Sequence, residues 1–283
     1  MAATSKKRFV IVGGGKMGEA ILSGWLASND CPADAIEASD VVVVEPGAER
    51  RAFLRDEYGV DCVASVSDAP IADVVVLSVK PQVMMGVLAE CRELESFQAH
   101  AAGPLYVSIA AGLTTQSLVE ALPEGVALVR VMPNMPLMIG AGASAVCASS
   151  TSSDEQVAYV ASLFSCLGRA VVVDEADMDA VCAVSGSGPA YVAAMIEAMR
   201  DAAVSEGLSP DLAETLALQT VLGTARLIAE TGVSPADARV AVCSPGGTTL
   251  AALDAMNEKG FAEVFQSGVS AAVRRSKELA KCS

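Results

Sequence analysis

Gly13-Gly14-Gly15-Lys16-Met17-Gly18 interrupts an apolar run of β-formers, Phe9-Val10-Ile11-Val12. It opens a segment in which Met17, Ala20, Ile21, Gly24 and Trp25 recur at helical spacing. Strand, glycine turn and helix in that order leave few folds open. In G-x-G-x-x-G, Gly13 permits the turn, Gly15 lets peptide N–H groups approach a pyrophosphate, and Gly18 lets the helix pack close on the strand. The motif therefore predicts a dinucleotide site with Lys16 and Met17 in the helix's first turn; the alternative is a glycine-rich turn that binds nothing.

The alternation continues downstream. Val41–Val44, Asp61–Val63, Asp73–Val79, Leu105–Ile109 and Ala127–Met132 read as strands. Helical patterns lie over Glu49–Tyr58 and Val83–Arg92 and from near Thr115, with a weak one over Asp68–Ile71. Buried strands separated by helices predict a doubly wound parallel sheet over residues 1–173, an α/β Rossmann-type domain. Beyond Val171-Val172-Val173 long helical patterns take over, over Tyr191–Glu206, Pro210–Thr231 and Gly260–Lys281, so residues 174–283 form an all-helical domain. Ser209-Pro210 and Ser234-Pro235 supply a cap and a first-turn proline. Segments such as Val192-Ala193-Ala194-Met195-Ile196 are apolar on more than one face, which predicts a subunit interface.

Composition limits the partners. With 19 Lys and Arg against 34 Asp and Glu, the net charge of -15 leaves no basic surface for nucleic acid or an anionic membrane. No stretch of about 18 uninterrupted apolar residues is present, so no membrane span is expected. The single histidine, His100, sits in a loop-like segment, which excludes paired-histidine mechanisms and metal sites built on them. Eight scattered cysteines without C-x-x-C point to a reducing cytoplasm and small buried side chains.

Strand ends carry the rest of the cofactor side. Glu45 closes the second strand, where a carboxylate can accept both ribose hydroxyls of NAD and repel the 2′-phosphate of NADP. Arg50 and Arg51 follow, either to reach such a phosphate or as a solvated helix face. Ser78-Val79-Lys80-Pro81, Ala110-Ala111-Gly112 and Asn134 lie past later strands, where ordinary turn chemistry is the alternative to a nicotinamide site. In the helical half, Ser185-Gly186-Ser187-Gly188-Pro189 and Ser244-Pro245-Gly246-Gly247-Thr248-Thr249 each present hydroxyls and bare peptide N–H groups at the start of a helix, equipment suited to a small carboxylate.

Taken in order, these segments, with Arg130-Val131-Met132-Pro133-Asn134 and Glu230-Thr231-Gly232, closely resemble the pyrroline-5-carboxylate reductase family over nearly the whole chain. The resemblance implies a Rossmann domain, a helical domain that intertwines into homodimers, often assembled into decamers, and NAD(P)H-dependent reduction of pyrroline-5-carboxylate to proline. It further implies that Ser244, Gly246, Gly247 and Thr248, with Ser187, hold the substrate carboxylate, while the Thr249 hydroxyl bonds the ring nitrogen. Departures from the family are Glu45, where Ser, Asn or Arg is common and NADPH often preferred, Ser65 in place of an amide, Val240 in place of an acid, and Ser234 in place of the usual His. Two other readings stand beside this one. One is a reductase of another small cyclic imine, the other a non-catalytic dinucleotide-binding protein. A β-hydroxyacid enzyme is disfavoured because the helical half has only Lys259, Lys277 and Lys281, all in solvent-facing patterns.

Overall fold

The computed structural model describes residues 7–28, 35–98 and 103–281, so the expected loop at His100, and Cys31 and Cys282, lie outside the described residues. Up to Val173 the chain alternates strand and helix: β1 (Lys7–Val12), α1 (Lys16–Ala27), β2 (Val41–Val44), α2 (Ala48–Tyr58), β3 (Asp61–Val63), β4 (Ala72–Leu77), α3 (Pro81–Glu93) and β5 (Leu105–Ser108). It goes on through α4 (Thr115–Ala121), β6 (Ala127–Met132), β7 (Gly142–Ala148), α5 (Asp154–Ser165) and β8 (Gly168–Val173). Helices follow: α6 (Met178–Val181), α7 (Gly188–Ser205), α8 (Pro210–Thr231), α9 (Pro235–Ala241), α10 (Thr248–Glu258) and α11 (Phe261–Lys281).

One eight-stranded sheet runs in the order β3-β2-β1-β4-β5-β6-β7-β8, so the direction of winding reverses between β1 and β4. That reversal leaves a crevice at the carboxyl ends of the two strands. Ile11 pairs with Val43 on one side and with Val76 on the other. Apolar, mostly β-branched residues fill both faces: Phe9, Ile11, Val43 and Val76 pack with Trp25 and Phe164 on one, while Val10, Val12, Val75 and Leu77 pack with Met84 and Leu88 on the other. The buried Trp25 donates its indole N–H to the Leu163 carbonyl at 2.9 Å, satisfying the one polar atom it brings into the core.

Several expectations need correction. The sheet is not wholly parallel, because β6 and β7 pair antiparallel. The helix expected over Asp68–Ile71 is a single 3-10 turn at Val66–Asp68. Ser234 caps its helix by accepting the Asp237 N–H at 3.1 Å, but Ser209 makes no side-chain cap. Cys62, Cys91 and Cys147 are buried, whereas Cys182 and Cys243 are only partly so, and Cys166 is disulfide-bonded.

The chain forms two compact units. Residues up to Ser187 are rejoined by the stretch from Ala272, and Gly188–Ala271 form the second unit. In the second unit α7 packs along α8, and Ala213 and Ala217 are its buried apolar residues among those described. Leu212, Leu216, Leu218, Leu222 and Leu227 are exposed. Helical turns from Glu175 to Ser205 contain a window of mean hydropathy 1.2, long and apolar enough by composition to cross a membrane. A count of uninterrupted apolar residues passes over that run, because isolated polar residues break it.

Candidate functional site

The glycine motif adopts the geometry its spacing implies. Gly13 has φ 108°, and its N–H donates to the Val44 carbonyl at 2.8 Å, tying the turn to β2. Ser78 closes the other side, donating its hydroxyl to the carbonyls of Val12 at 3.0 Å and Gly13 at 2.6 Å. A Cβ on Gly18 would overlap the Gly13 carbonyl oxygen, and one on Gly14 would stand 2.7 Å from Leu54 Cδ1. At Gly15 a Cβ would meet nothing within 4 Å, and Gly15, the N-cap of α1, offers no side chain to the first-turn amides. Open space in front of uncapped amides, those of Lys16 and Met17 among them, is a cradle that fits a pyrophosphate. Lys16 is exposed beside it.

At the end of β2 the Glu45 carboxylate accepts the Gly14 N–H at 3.1 Å and the Gly47 N–H at 2.8 Å, so both oxygens are held at the crevice edge. A carboxylate has lone pairs to spare and still accepts two hydroxyls in this position. Arg50 donates Nε–H to the Gly14 carbonyl at 2.6 Å, pairs with Glu19, and lies 4.9 Å from the Phe53 ring centroid. Arg51 donates to the carbonyls of Glu45 and Pro46, each at 2.7 Å. Neither arginine is the solvated helix face that the sequence left open.

Past β4, Ser78 and Val79 are half-buried against the glycine turn, Lys80 is exposed at the N-cap of α3, and Pro81 starts that helix. Past β5, Ala110 is buried and Ala111 half-buried; Gly112 has φ 74°, and a Cβ there would lie 3.1 Å from the Leu279 Cβ. Small side chains keep this loop flat. Asn134 is placed differently from a residue that waits for a ligand. Its amide donates to the Ser185 carbonyl at 3.1 Å and its Oδ1 accepts the Ala143 N–H at 2.8 Å, so it bolts the β6 end to the helical turns.

Sequence reasoning missed Glu175. One of its oxygens accepts from Arg130 Nη1 at 2.7 Å and from the Thr115 N–H at 3.2 Å, and the other from the Cys147 thiol at 3.2 Å. This carboxylate thereby fastens the start of α4, just beyond Gly112, to β6 and β7. Arg130 is buried in the strand Val129-Arg130-Val131, and such a charge needs a partner, which is the signal that could have pointed to Glu175. Burial, and then the bond to Glu175, pushes the Cys147 thiol up to about 12. A small cavity of about 100 Å³ lies behind the same loop, lined by Gly112, Thr114, Arg130, Glu175 and Asp179.

The two serine-glycine segments of the helical half differ. Ser185 and Gly186 sit inside a π-helical turn, Cys182–Gly186, with the Ser187 N–H donating to the Cys182 carbonyl at 2.9 Å and the Ser185 hydroxyl to Val181 at 3.0 Å. The bare helix start expected there is absent, because the preceding helical turns take up those donors. At Ser244–Thr249 it is present. Gly246 has φ 70°, the Gly247 N–H closes a turn on the Ser244 carbonyl at 2.9 Å, and Gly247 is the N-cap of α10 with no side-chain cap. That first turn carries no acidic residue; Ser244 and Thr248 are exposed, and Thr249 is half-buried. Three hydroxyls and uncapped amides thus gather at a positive helix end in an otherwise acidic chain.

Comparison with known proteins gives consistent relatives. Residues 175–279 match the family described as pyrroline-5-carboxylate reductase dimerisation, and residues 8–112 match the NADP oxidoreductase, coenzyme F420-dependent family. The pyrroline-5-carboxylate reductase of Synechocystis sp. is 43% identical over 272 residues, covering 96% of this chain and 97% of its own. Among solved structures, the reductase from Coxiella burnetii superposes with a TM-score of 0.87 at 32% identity, covering 98% of this chain and 99% of that one. The Plasmodium falciparum pyrroline carboxylate reductase with NADP bound gives 0.82 at 27% identity, covering 97% and 98%.

Proposed function

The chain belongs to the pyrroline-5-carboxylate reductase family, a dinucleotide-dependent oxidoreductase acting on the C=N bond of pyrroline-5-carboxylate, and we propose which of its residues carry that reaction. The observation that carries the reading is the pair of uncapped helix starts, α1 behind Gly13–Gly18 and α10 behind Ser244–Thr249. Each suits an anion, one a pyrophosphate and the other a small carboxylate.

A nicotinamide held here would supply the hydride. Gly13, Gly15 and Gly18, with the amides of Lys16 and Met17, hold the pyrophosphate; Glu45 holds the ribose; and Ser78–Pro81 with Ala110–Gly112 flank the ring. Asn134 supports that wall from behind through its two main-chain bonds. Ser244, Gly246, Gly247 and Thr248 bind the substrate carboxylate by hydroxyl and peptide N–H, with Ser187 as a further hydroxyl. Thr249 donates to the ring nitrogen, whose charge changes as the carbon accepts hydride. A threonine is too weak an acid to be the proton source itself, so its work is to hold the nitrogen in place until solvent supplies the proton. We set the functional division at 173/174, with the dinucleotide on residues 1–173 and substrate and partner on 174–283.

Glu45 supports NADH over NADPH, since a carboxylate held at the end of β2 would repel a 2′-phosphate on the neighbouring ribose. Exposed leucines on α8, the apolar run to Ser205 and the dimerisation-family match support a homodimer rather than a membrane span, and decamers built from it are what the family resemblance implies. The net charge of -15 argues against nucleic acid, and we read the enzyme as cytoplasmic. The test is oxidation of NADH and NADPH, followed at 340 nm, with pyrroline-5-carboxylate. Turnover with that imine is expected; tight dinucleotide binding without turnover would instead favour a non-catalytic binding protein, and turnover only with another cyclic imine would change the substrate.

A further inference from the structure

Glu19 is the one acidic residue in the first turn of α1, where a pyrophosphate would find it repulsive. Nothing in the cofactor motif requires it. In the structure its two oxygens are fully engaged: one accepts the Tyr58 hydroxyl at 2.9 Å, and the other pairs with Arg50 Nη2. Arg50 is in turn fixed by its Nε–H bond to the Gly14 carbonyl, and the N–H of that same Gly14 is bonded to Glu45. The guanidinium and the Glu45 carboxylate are therefore bonded to opposite ends of one residue, Gly14, with Nη2 of the arginine turned towards Glu19 instead. Burial, and then the bond to Glu19, pushes the Tyr58 hydroxyl up, consistent with a proton held on that oxygen as the donor.

We propose that Glu19 is a specificity-determining residue: with Tyr58 as its brace, it holds the Arg50 guanidinium away from the ribose edge, so that this cation beside Gly14 cannot serve a 2′-phosphate. Glu45 then rejects NADP by repulsion, and Glu19 rejects it by withholding the countercharge. This inference rests on the cofactor reading above and adds a residue to it. Glu19 of α1, through Arg50 and Tyr58 of α2, acts on a ligand group that it never touches.

The experiment is a calorimetric measurement of the dissociation constants of NAD+ and NADP+ for the native protein and for Glu19→Gln, Arg50→Gln and the double variant. Releasing Arg50 is expected to lower the NADP+/NAD+ ratio of dissociation constants about 10-fold in Glu19→Gln, the weight of one charge-assisted hydrogen bond. That gain should vanish when Arg50→Gln is added. Glu19→Asp, which keeps the charge but draws the carboxylate back by one methylene, should give a smaller shift in the same direction and serves if the glutamine variant does not fold. A ratio unchanged in Glu19→Gln would overturn the proposal, as would an equal gain in the double variant, which would make the effect plain loss of negative charge. A native protein that already prefers NADP+ would instead refute the Glu45 reading, while the change in ratio would still judge Glu19.

Discussion

Gly18 lies directly against Gly13: a methyl group at position 18 would overlap the Gly13 carbonyl oxygen and stand 2.8 Å from the Ser78 hydroxyl, whereas one at Gly15 would meet only open space. The two glycines should therefore fail differently. Gly18→Ala is expected to cost about 3 kcal/mol of stability, because it pushes α1 off the strand end. Gly15→Ala should stay within about 1 kcal/mol of native stability yet weaken dinucleotide binding at least ~10-fold, since its methyl fills the pyrophosphate cradle. Thermal unfolding and a fluorescence titration with NADH separate the two outcomes, and equal losses of stability would refute the assignment.

Replacing Glu45 by serine removes the charge that a 2′-phosphate would oppose. The ratio of kcat/KM for NADPH to that for NADH is expected to rise about 10-fold. An unmoved ratio would mean that the held carboxylate is a brace for Gly14 and Gly47 alone.

For the chemistry, Thr249→Ala should lower kcat with pyrroline-5-carboxylate about 100-fold while the dinucleotide dissociation constant changes less than ~2-fold. Thr249→Ser, which keeps the hydroxyl, should recover most of the rate. Full turnover by the alanine variant would remove Thr249 from the site.

Alkaline pH should loosen the first unit through Cys147. Below its ordinary value of 9.0 the thiol is protonated in both the folded and the unfolded chain and has no effect on the balance. Between 9 and about 12 the unfolded chain has lost that proton while the folded chain keeps it, so stability falls as pH rises through this window. The expected slope is ~1 kcal/mol per pH unit for this group. Denaturant melts at pH 8 and above pH 9 should show the decline, and Cys147→Ser, which still donates to Glu175 but does not titrate, should reduce it.

Light scattering should return an even multiple of the 28.8 kDa chain. Substituting Leu216 and Leu222 on α8 by glutamate is expected to yield monomer with little turnover. A native protein that runs as a monomer would leave the exposed apolar face of α8 unexplained and would count against the dimer.

The first strand, glycine turn and helix were legible because Val10, Ile11 and Val12 give way abruptly to glycines that are needed where they stand. Val41–Val44 was placed to the residue by the contrast between its valine run and Glu45-Pro46-Gly47, and the short strand Asp61–Val63 also falls where it was read. Strand β7 was not, since Gly142-Ala143-Ser144-Ala145 carries small side chains with no strong period, and its pairing with β6 supplies the order that its own residues lack. Ser185-Gly186-Ser187 misled in the opposite way. Glycine and serine favour turns, but Asn134 bonded to the Ser185 carbonyl, and helical turns that accept the Ser187 N–H, keep that backbone wound. Glu175 and Glu19 were invisible for a simpler reason: what each does depends on partners that only the fold brings near, from Thr115 and Cys147 to Tyr58.

The return of the chain from Ala272 to the first unit has a temporal side. Ser276 donates to Asp179 at 2.6 Å, and Leu279 lies against Gly112, so the loop past β5 is supported by a segment that a ribosome makes only after all of Gly188–Ala271. The dinucleotide half therefore cannot finish folding as soon as its own strands emerge. Throughout synthesis of the intervening helices, the groove beside Gly112 stays uncovered and waits for the strap that closes it.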